Sequence, residues 1–519
     1  MLKGFLSLVL SLTVMAPMLA QSAKDRGLEA ITEGSVRGAL EYLASDWFEG
    51  REVGRRGSYM AAAYIESVFK THGLEPAGDD GSYFQKVTLT EYKPGEKQIL
   101  SVIGNGKQID FAHKVDFSVT LPEVGGIYEA PVVFVGYGMP DDFEKADVSG
   151  KVVFRLKGFP GQADTASVSY KKYKPAGARE LRRDKDKMAF DAGAVAIVEF
   201  DPSKDITKRW ASNLPFRVNG KDYEGDKIRE SFYETKVKLH GDTLRPELPV
   251  ATVSAKVANE LVSGSGISLK GFAKKAESAY KFKKVKLGKS IRLQTSVDSE
   301  IVVCRNVIAK IQGKDATKTV AVGAHYDHLG KHDGYIWNGA DDNASGVTAI
   351  LNIAKAFKAS GQQPDKTILF TAWTAEEKGL NGSEHFLREA DRNGLEIEYY
   401  LNFDMIGRNS SWDPEGNKCM MLYTKAFPIF EETNKRNNSG YDLNLDVSYS
   451  RVERPVNGSD QANFARRDIP IFWFHTWGHP DYHQPTDHSE KINWDKIIKI
   501  IKVSYLDVWD LTNEGVTVQ

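Results

Sequence analysis

Five short stretches between residues 323 and 487 carry the residue types that bind divalent metal ions: GAHYDH, GADDNASG, TAWTAEEKG, NFDMIG and YHQPTD. Imidazole nitrogens and carboxylate oxygens are the ligands of hydrolytic zinc. A two-ion centre needs a histidine for the outer position of each metal and carboxylates to bridge the ions and balance their charge, with the ions about 3.5–4 Å apart. Taken singly, each stretch has a plainer reading. A lone strand-end histidine such as His325 is often structural, Asp341-Asp342-Asn343 before an apolar run is a helix N-cap, and adjacent Glu376 and Glu377 suit a solvated helix start. Asp404 is harder to dismiss, because NFDMIG sets a carboxylate among apolar residues and an unpaired buried charge is costly, so a positive partner is expected beside it. Asp327, two residues beyond His325, is a candidate acceptor that would fix the tautomer of that ring. In IPIFWFHTWGHPDYHQPTDH, His475 and His479 read as structural or rim residues, and His483 as the last ligand.

The elements around these stretches predict how they meet. TVAVGAH, TILFTAW, YYLNF and IPIFWF are continuous apolar runs of strand length, the pattern of strands covered on both faces. Val347, Ile350, Leu351, Ala354 and Phe357 recur at helical spacing and place a crossover helix between the first two. The fold class expected is α/β, a mixed and mainly parallel central sheet flanked by helices, with ligands beyond the carboxyl ends of the strands.

At 519 residues the chain is long enough for at least two domains. Residues 1–20 have the Lys3-plus-apolar pattern of a cleaved secretory signal, with no cysteine near the cut, so export to the periplasm or the exterior is expected. Residues 24–90 carry helical periodicity and read as core-covering helices. Residues 91–287 read as an inserted β-rich domain that shapes access or binds partners, and residues 288–519 as the metal-bearing sheet domain. Within the insertion, KKYKPAGARELRRDKDK and KKAESAYKFKKVKLGK read as solvated basic runs. With 69 Lys+Arg against 70 Asp+Glu, nothing calls for a nucleic-acid partner, and no later stretch is apolar for long enough to span a bilayer. The spacing of Cys304 and Cys419 is compatible with either a disulfide or two buried thiols. The oligomeric state is left open.

The ordered series GAHYDH, GADDNASG, AEEKGLNGSEHF, NFDMIG and YHQPTD resembles metallopeptidase family twenty-eight, whose co-catalytic di-zinc aminopeptidases stand beside glutamate carboxypeptidase, the glutaminyl cyclases and the transferrin receptor. The preface GREVGRRGSYMAAAYI resembles secreted bacterial members, and VVFVGYG, DVSGKVVF and DAGAVAIVEF resemble a protease-associated domain. Carried over position by position, the resemblance implies two Zn2+ ions. His325 and Asp404 would hold one, Glu377 and His483 the other, and Asp341 would bridge them, with a cis peptide between Asp341 and Asp342. Glu376 matches the general base, Asp327 the carboxylate behind the histidine, and Tyr482 an oxyanion donor. Gln484 in HQP and Gln461 in GSDQANF depart from the family pattern, which bears on pocket shape and substrate choice. The implied function is an aminopeptidase acting on peptides. A carboxypeptidase using Arg408 or Arg451 for acidic C-termini is the alternative within the family, and a receptor-like binding protein the alternative of another class.

Overall fold

The computed structural model describes residues 21–513, apart from 121–123, 176, 204–215, 219–220, 224–234, 243–246, 279 and 333. The apolar leader 1–20 lies outside the described residues. Among the described residues no helix is long and apolar enough to cross a membrane.

After a short helix at Ala23–Glu29, two longer helices bury apolar faces. In α1 (Glu33–Leu43) the Thr32 hydroxyl accepts from the Ser35 amide, while Val36, Ala39, Leu40 and Leu43 turn inward. In α2 (Arg56–Thr71) the buried face is Ala61, Ala62, Ile65 and Phe69. Strand β1 (Phe84–Gly104) then runs antiparallel to β7 (Ser290–Ile311) for almost its whole length, from Phe84 opposite Val307 to Ile103 opposite Ser290. This ribbon joins two apolar cores.

One core lies between β1 and β7. Strands β2 (Phe117–Thr120), β3 (Gly126–Phe134), β4 (Val152–Leu156), β5 (Ala196–Phe200) and β6 (Val250–Val253) form its sheet, with β3 to β6 mutually parallel and β2 antiparallel at the edge. Every residue of β4 and β5 is buried. The reason is that helices, among them α3 (Gly177–Asp191), alternate with the strands and cover the sheet, so this part is α/β rather than the alternating β-rich arrangement expected. The basic run 171–187 is the start of that cover, and Leu181 and Lys185 on α3 point inward.

The other core surrounds β8 (Asp315–His325), helix α4 (Gly346–Ser360), β9 (Lys366–Trp373), helix α5 (Asn381–Asn393), β10 (Tyr400–Phe403), β11 (Lys418–Thr424), β12 (Asp446–Val452), β13 (Ile471–His475) and helix α6 (Trp494–Asn513). Strand β8 is parallel to both β9 and β10, β10 is parallel to β13, and β7 and β11 pair antiparallel on either side. This is the mixed, mainly parallel sheet the apolar runs predict. Both cysteines are buried and free, Cys304 on β7 and Cys419 on β11.

A candidate metal centre

Four parallel strands end at one edge of the sheet, and each delivers its polar residue there. His325 terminates β8, Glu376 and Glu377 follow β9 by three and four positions, Asp404 follows β10 directly, and the loop after β13 carries His483. Asp342 arrives from the turn that starts α4. The turns are tight: Ala375, Met405 and His483 all have left-handed backbones, with φ of 58°, 56° and 53°. Non-glycine residues hold that conformation only where their surroundings enforce it, and such positions gather at functional sites. Gly339 (φ +56°) is required outright, since a Cβ there would sit 2.0 Å from the Asp342 carbonyl oxygen and 2.5 Å from His328 Cδ2.

The side chains converge on two adjoining clusters. His325 Nε2 is 3.4 Å from Asp342 Oδ1, 3.5 Å from Asp404 Oδ1 and 4.0 Å from Glu376 Oε2. His483 Nε2 is 3.0 Å from Asp342 Oδ2 and 3.2 Å from Glu377 Oε2, whose other oxygen is 2.8 Å from His328 Nδ1. Asp342 therefore presents one oxygen to each histidine. His325, Asp404, Glu376, Glu377 and His483 are brought together.

Asp341 is not placed between the clusters, and the bridging position assigned to it moves one residue on. Its Oδ1 accepts from the Gly407 amide at 2.6 Å and its Oδ2 lies 3.2 Å from His479 Nε2. The backbone decides this, because Asp342 (φ −103°, ψ 93°) and Asn343 (φ −134°, ψ 44°) leave helical geometry and turn Asp342 toward the strand ends. The cis peptide likewise joins Asp342 to Asn343 instead of Asp341 to Asp342. Asp327 also acts differently from expectation. His325 Nδ1 donates to the Asp327 main-chain oxygen at 3.1 Å, whereas the Asp327 carboxylate accepts the amides of Glu376 (3.1 Å) and Glu377 (3.4 Å) and so braces the turn carrying both. Tyr482 is 43% exposed and stacks on His483 with ring centroids 3.9 Å apart.

The electrostatics separate the two adjacent glutamates. Burial, reinforced by Glu377 and Asp404, pushes the Glu376 carboxyl well above its usual range against the pull of His325. Burial acts on Glu377 in the same sense, but His483 and His328 outweigh it and hold that carboxyl well below. Such divergence within a pair of like groups marks an acid–base site. Burial likewise raises Asp327 to about 7 and Asp460 to about 7. Burial opposes protonation of His325, yet Glu376 and Asp404 draw its pKa well above the ordinary value.

A divalent cation fits this donor set. Because Nδ1 of His325 must carry the proton it gives to a carbonyl, Nε2 offers a lone pair, and that atom is buried without a hydrogen-bond partner. The groups His325–Glu376–Asp404 and His328–Asp342–Glu377 each bring three ligand atoms within 4.8 Å of one another.

Three participants were not singled out from the sequence. His328 lies three positions beyond His325 in GAHYDH and contacts Glu377. Asp460 in GSDQANF accepts from the Ser383 hydroxyl and stands in the field of His325. Arg51, from the N-terminal turn, is buried behind Asp342. A buried acid in a polar stretch carries a weak signal, and an arginine in a turn carries none. Arg408 is engaged by Asp481 at 2.7 Å and Arg451 by Glu431 at 2.7 Å, so neither stands ready for a substrate carboxylate. A cleft of about 650 Å³ is lined by Glu52, Arg55, Glu91, Lys93, Thr235 and His332.

The family model for peptidase family M28 matches residues 306–506. Leupeptin-inactivating enzyme 1 of Streptomyces exfoliatus is 30% identical over 236 residues, which span 44% of this chain and 49% of that protein. The chain thus aligns with about half the length of that curated relative. Among solved structures, an aminopeptidase from Aneurinibacillus sp. strain AM-1 superposes with a TM-score of 0.61 at 18% identity, covering 96% of this chain and 98% of that one. BSAP, a zinc aminopeptidase from Bacillus subtilis, does so with a TM-score of 0.54 at 18% identity, covering 94% and 97%. At that identity the likeness establishes a common fold. The motif series, the strand-end cluster and the match to peptidase family M28 thus fall in the same segment, residues 306–506.

Proposed function

We propose that the chain is a zinc-dependent exopeptidase that removes N-terminal residues from peptides. The observation that carries this reading is Asp342 set between His325 and His483, with Glu376 beside the first cluster. His325 and Asp404 would hold one ion, His483 and Glu377 the other, and Asp342 would serve both. Zinc bound there would act as a Lewis acid, lowering the pKa of water toward about 7 and polarising the scissile carbonyl.

The chain's own groups complete the reaction. Glu376 Oε2, held in a buried turn by Asp327, takes a proton from the attacking water and returns it to the leaving amine. Its raised affinity for a proton suits this two-way transfer. Glu377 cannot substitute, because its oxygens are turned to His328 and His483. The Tyr482 hydroxyl, on a ring stacked against His483, is the candidate donor to the carbonyl oxygen as charge develops there.

Aminopeptidase is favoured over carboxypeptidase because Arg408 and Arg451 are committed to internal carboxylates. The inserted segment, which resembles a protease-associated domain, borders the cleft: Lys378, next to Glu377, donates to Thr235 Oγ1 at 2.6 Å. We also propose export directed by residues 1–20, to be checked by cell fractionation and N-terminal sequencing of the mature protein. The activity is tested by measuring zinc per chain together with hydrolysis of aminoacyl anilides and C-terminal glutamyl peptides. Anilide cleavage lost on chelation and restored by zinc is the expected result, and glutamyl cleavage alone would favour the carboxypeptidase.

A further inference from the structure

The turn FEGREVGRRGS plays no part in the chemistry above, yet it sends one cation behind the metal centre. Arg51 is 1% exposed. Its Nε donates to the Tyr326 carbonyl (2.8 Å), Nη1 to Leu43 (2.8 Å) and Asn338 (2.6 Å), and Nη2 to Gly339 (2.8 Å), with the Asp342 carbonyl 3.5 Å away. Its own carbonyl accepts the His328 amide at 3.3 Å. Among the described residues no carboxylate forms an ion pair with it. A buried guanidinium that spends all its donors on main-chain oxygens works as a fork-shaped brace, a geometry that lysine cannot reproduce.

The backbone is bent to make this reach possible. Glu49, Gly50 and Arg51 have successive left-handed φ values of 48°, 68° and 53°. A Cβ at Gly50 would meet the Gly330 oxygen at 2.3 Å and the Trp337 oxygen at 2.5 Å, so the turn is pressed onto the hairpin that leads into Asn338 and Gly339. Left-handed non-glycine residues such as Glu49 and Arg51 persist where the surroundings over-determine them.

We propose that Arg51 is a positioning residue for the metal centre, tying the segment 326–328 that follows His325 to the segment 338–342 that carries Asp342. This rests on Asp342 being the shared ligand. By pre-setting the gap between those segments, Arg51 lets the ions bind without first ordering the loop, and its charge offsets the carboxylates gathered in front of it.

The test uses the full chain with Arg51→Met and Arg51→Lys, and Arg155→Met as a control that removes a buried arginine from the inserted segment. Zinc affinity is measured on metal-free protein by competition with a chromophoric chelator, and amide hydrogen exchange of 326–328 and 338–346 is measured without metal. Arg51→Lys is expected to fold, to bind zinc about 10- to 100-fold more weakly and to exchange faster at both segments. Arg155→Met should leave zinc affinity within about twofold of wild type. Wild-type affinity and wild-type exchange in Arg51→Lys would overturn the proposal. If the unaltered protein bound no zinc, the metal reading would fall, while exchange at 338–346 would still decide whether Arg51 holds the two segments.

Discussion

Two clusters of buried charge can be compared within this chain. In the inserted segment, Arg155 is fully buried and donates to Glu199 across the strand pair and to Asp186 on α3, while Lys185 gives its ammonium to the carbonyls of Leu156 and Gly158. Both carboxylates pair with Arg155, and Lys185 is held beside it by main-chain oxygens. At the sheet edge, Asp342, Glu376, Glu377 and Asp404, with Asp327 and Asp460 behind them, face His325, His328 and His483, and Arg51 is a fixed cation at their back. Buried like charges are costly unless something opposite is supplied. The first cluster gives its arginine two carboxylate partners, whereas the second, with acids in excess of fixed cations, has the composition of a site that takes up dications.

The comparison is broken most severely at Glu376. Glu376→Gln is expected to cut turnover by about 10²- to 10⁴-fold with zinc content unchanged, measured by anilide kinetics and metal analysis of the same sample. Next come the two neighbouring aspartates. Asp342→Asn is expected to lower zinc bound per chain, while Asp341→Asn leaves it in place, as Asp341 is occupied by Gly407 and His479. Equal zinc loss in both variants would restore Asp341 to the bridge.

A thermal comparison sharpens the contrast between the regions. Zinc at 100 times its dissociation constant should stabilise the wild-type chain by about 2.7 kcal/mol, seen as a higher melting temperature that chelation removes. Arg155→Met should lower that temperature by the same amount with and without zinc, because its partners lie in the other core. A further effect is a pH dependence in the cluster around Arg155. Burial depresses the Lys185 pKa from 10.5 to about 7. Below pH 7 the ammonium is charged in both folded and unfolded states and the fold bears the full cost of burying it. Above pH 7 the unfolded chain still binds the proton and the folded one does not, so Lys185 should contribute a rise of about 1.4 kcal/mol per pH unit up to about 10.5. Lys185→Met should flatten that slope, as measured by urea unfolding across the range.

Much of the sheet edge was legible from residue pattern. Apolar runs ending in His325, Glu376 and Asp404 specify buried parallel strands, and parallel strands bring their carboxyl ends to one edge. What escaped depends on backbone direction. Asp341 and Asp342 are chemically identical neighbours, and only the departure of Asp342 and Asn343 from helical dihedrals chooses between them. Asp327 lies close enough in sequence to reach the His325 ring, but its carboxylate turns to the amides of Glu376 and Glu377, partners a whole strand and helix away. The basic run 171–187 reads as solvated because its charges outnumber its apolar residues, yet Leu181 and Lys185, four apart on α3, are the ones turned inward. Arg51 reaches carbonyls some 275 to 291 positions along the chain, a distance over which no local pattern carries information.

The most direct measurement is an anomalous-scattering map at the zinc absorption edge, from crystals of the full chain grown with zinc. Two peaks are predicted, one against His325 and Asp404 and the other against Glu377 and His483, each touching a different oxygen of Asp342. A cluster without zinc, or ions held by Asp341 in place of Asp342, would contradict the account.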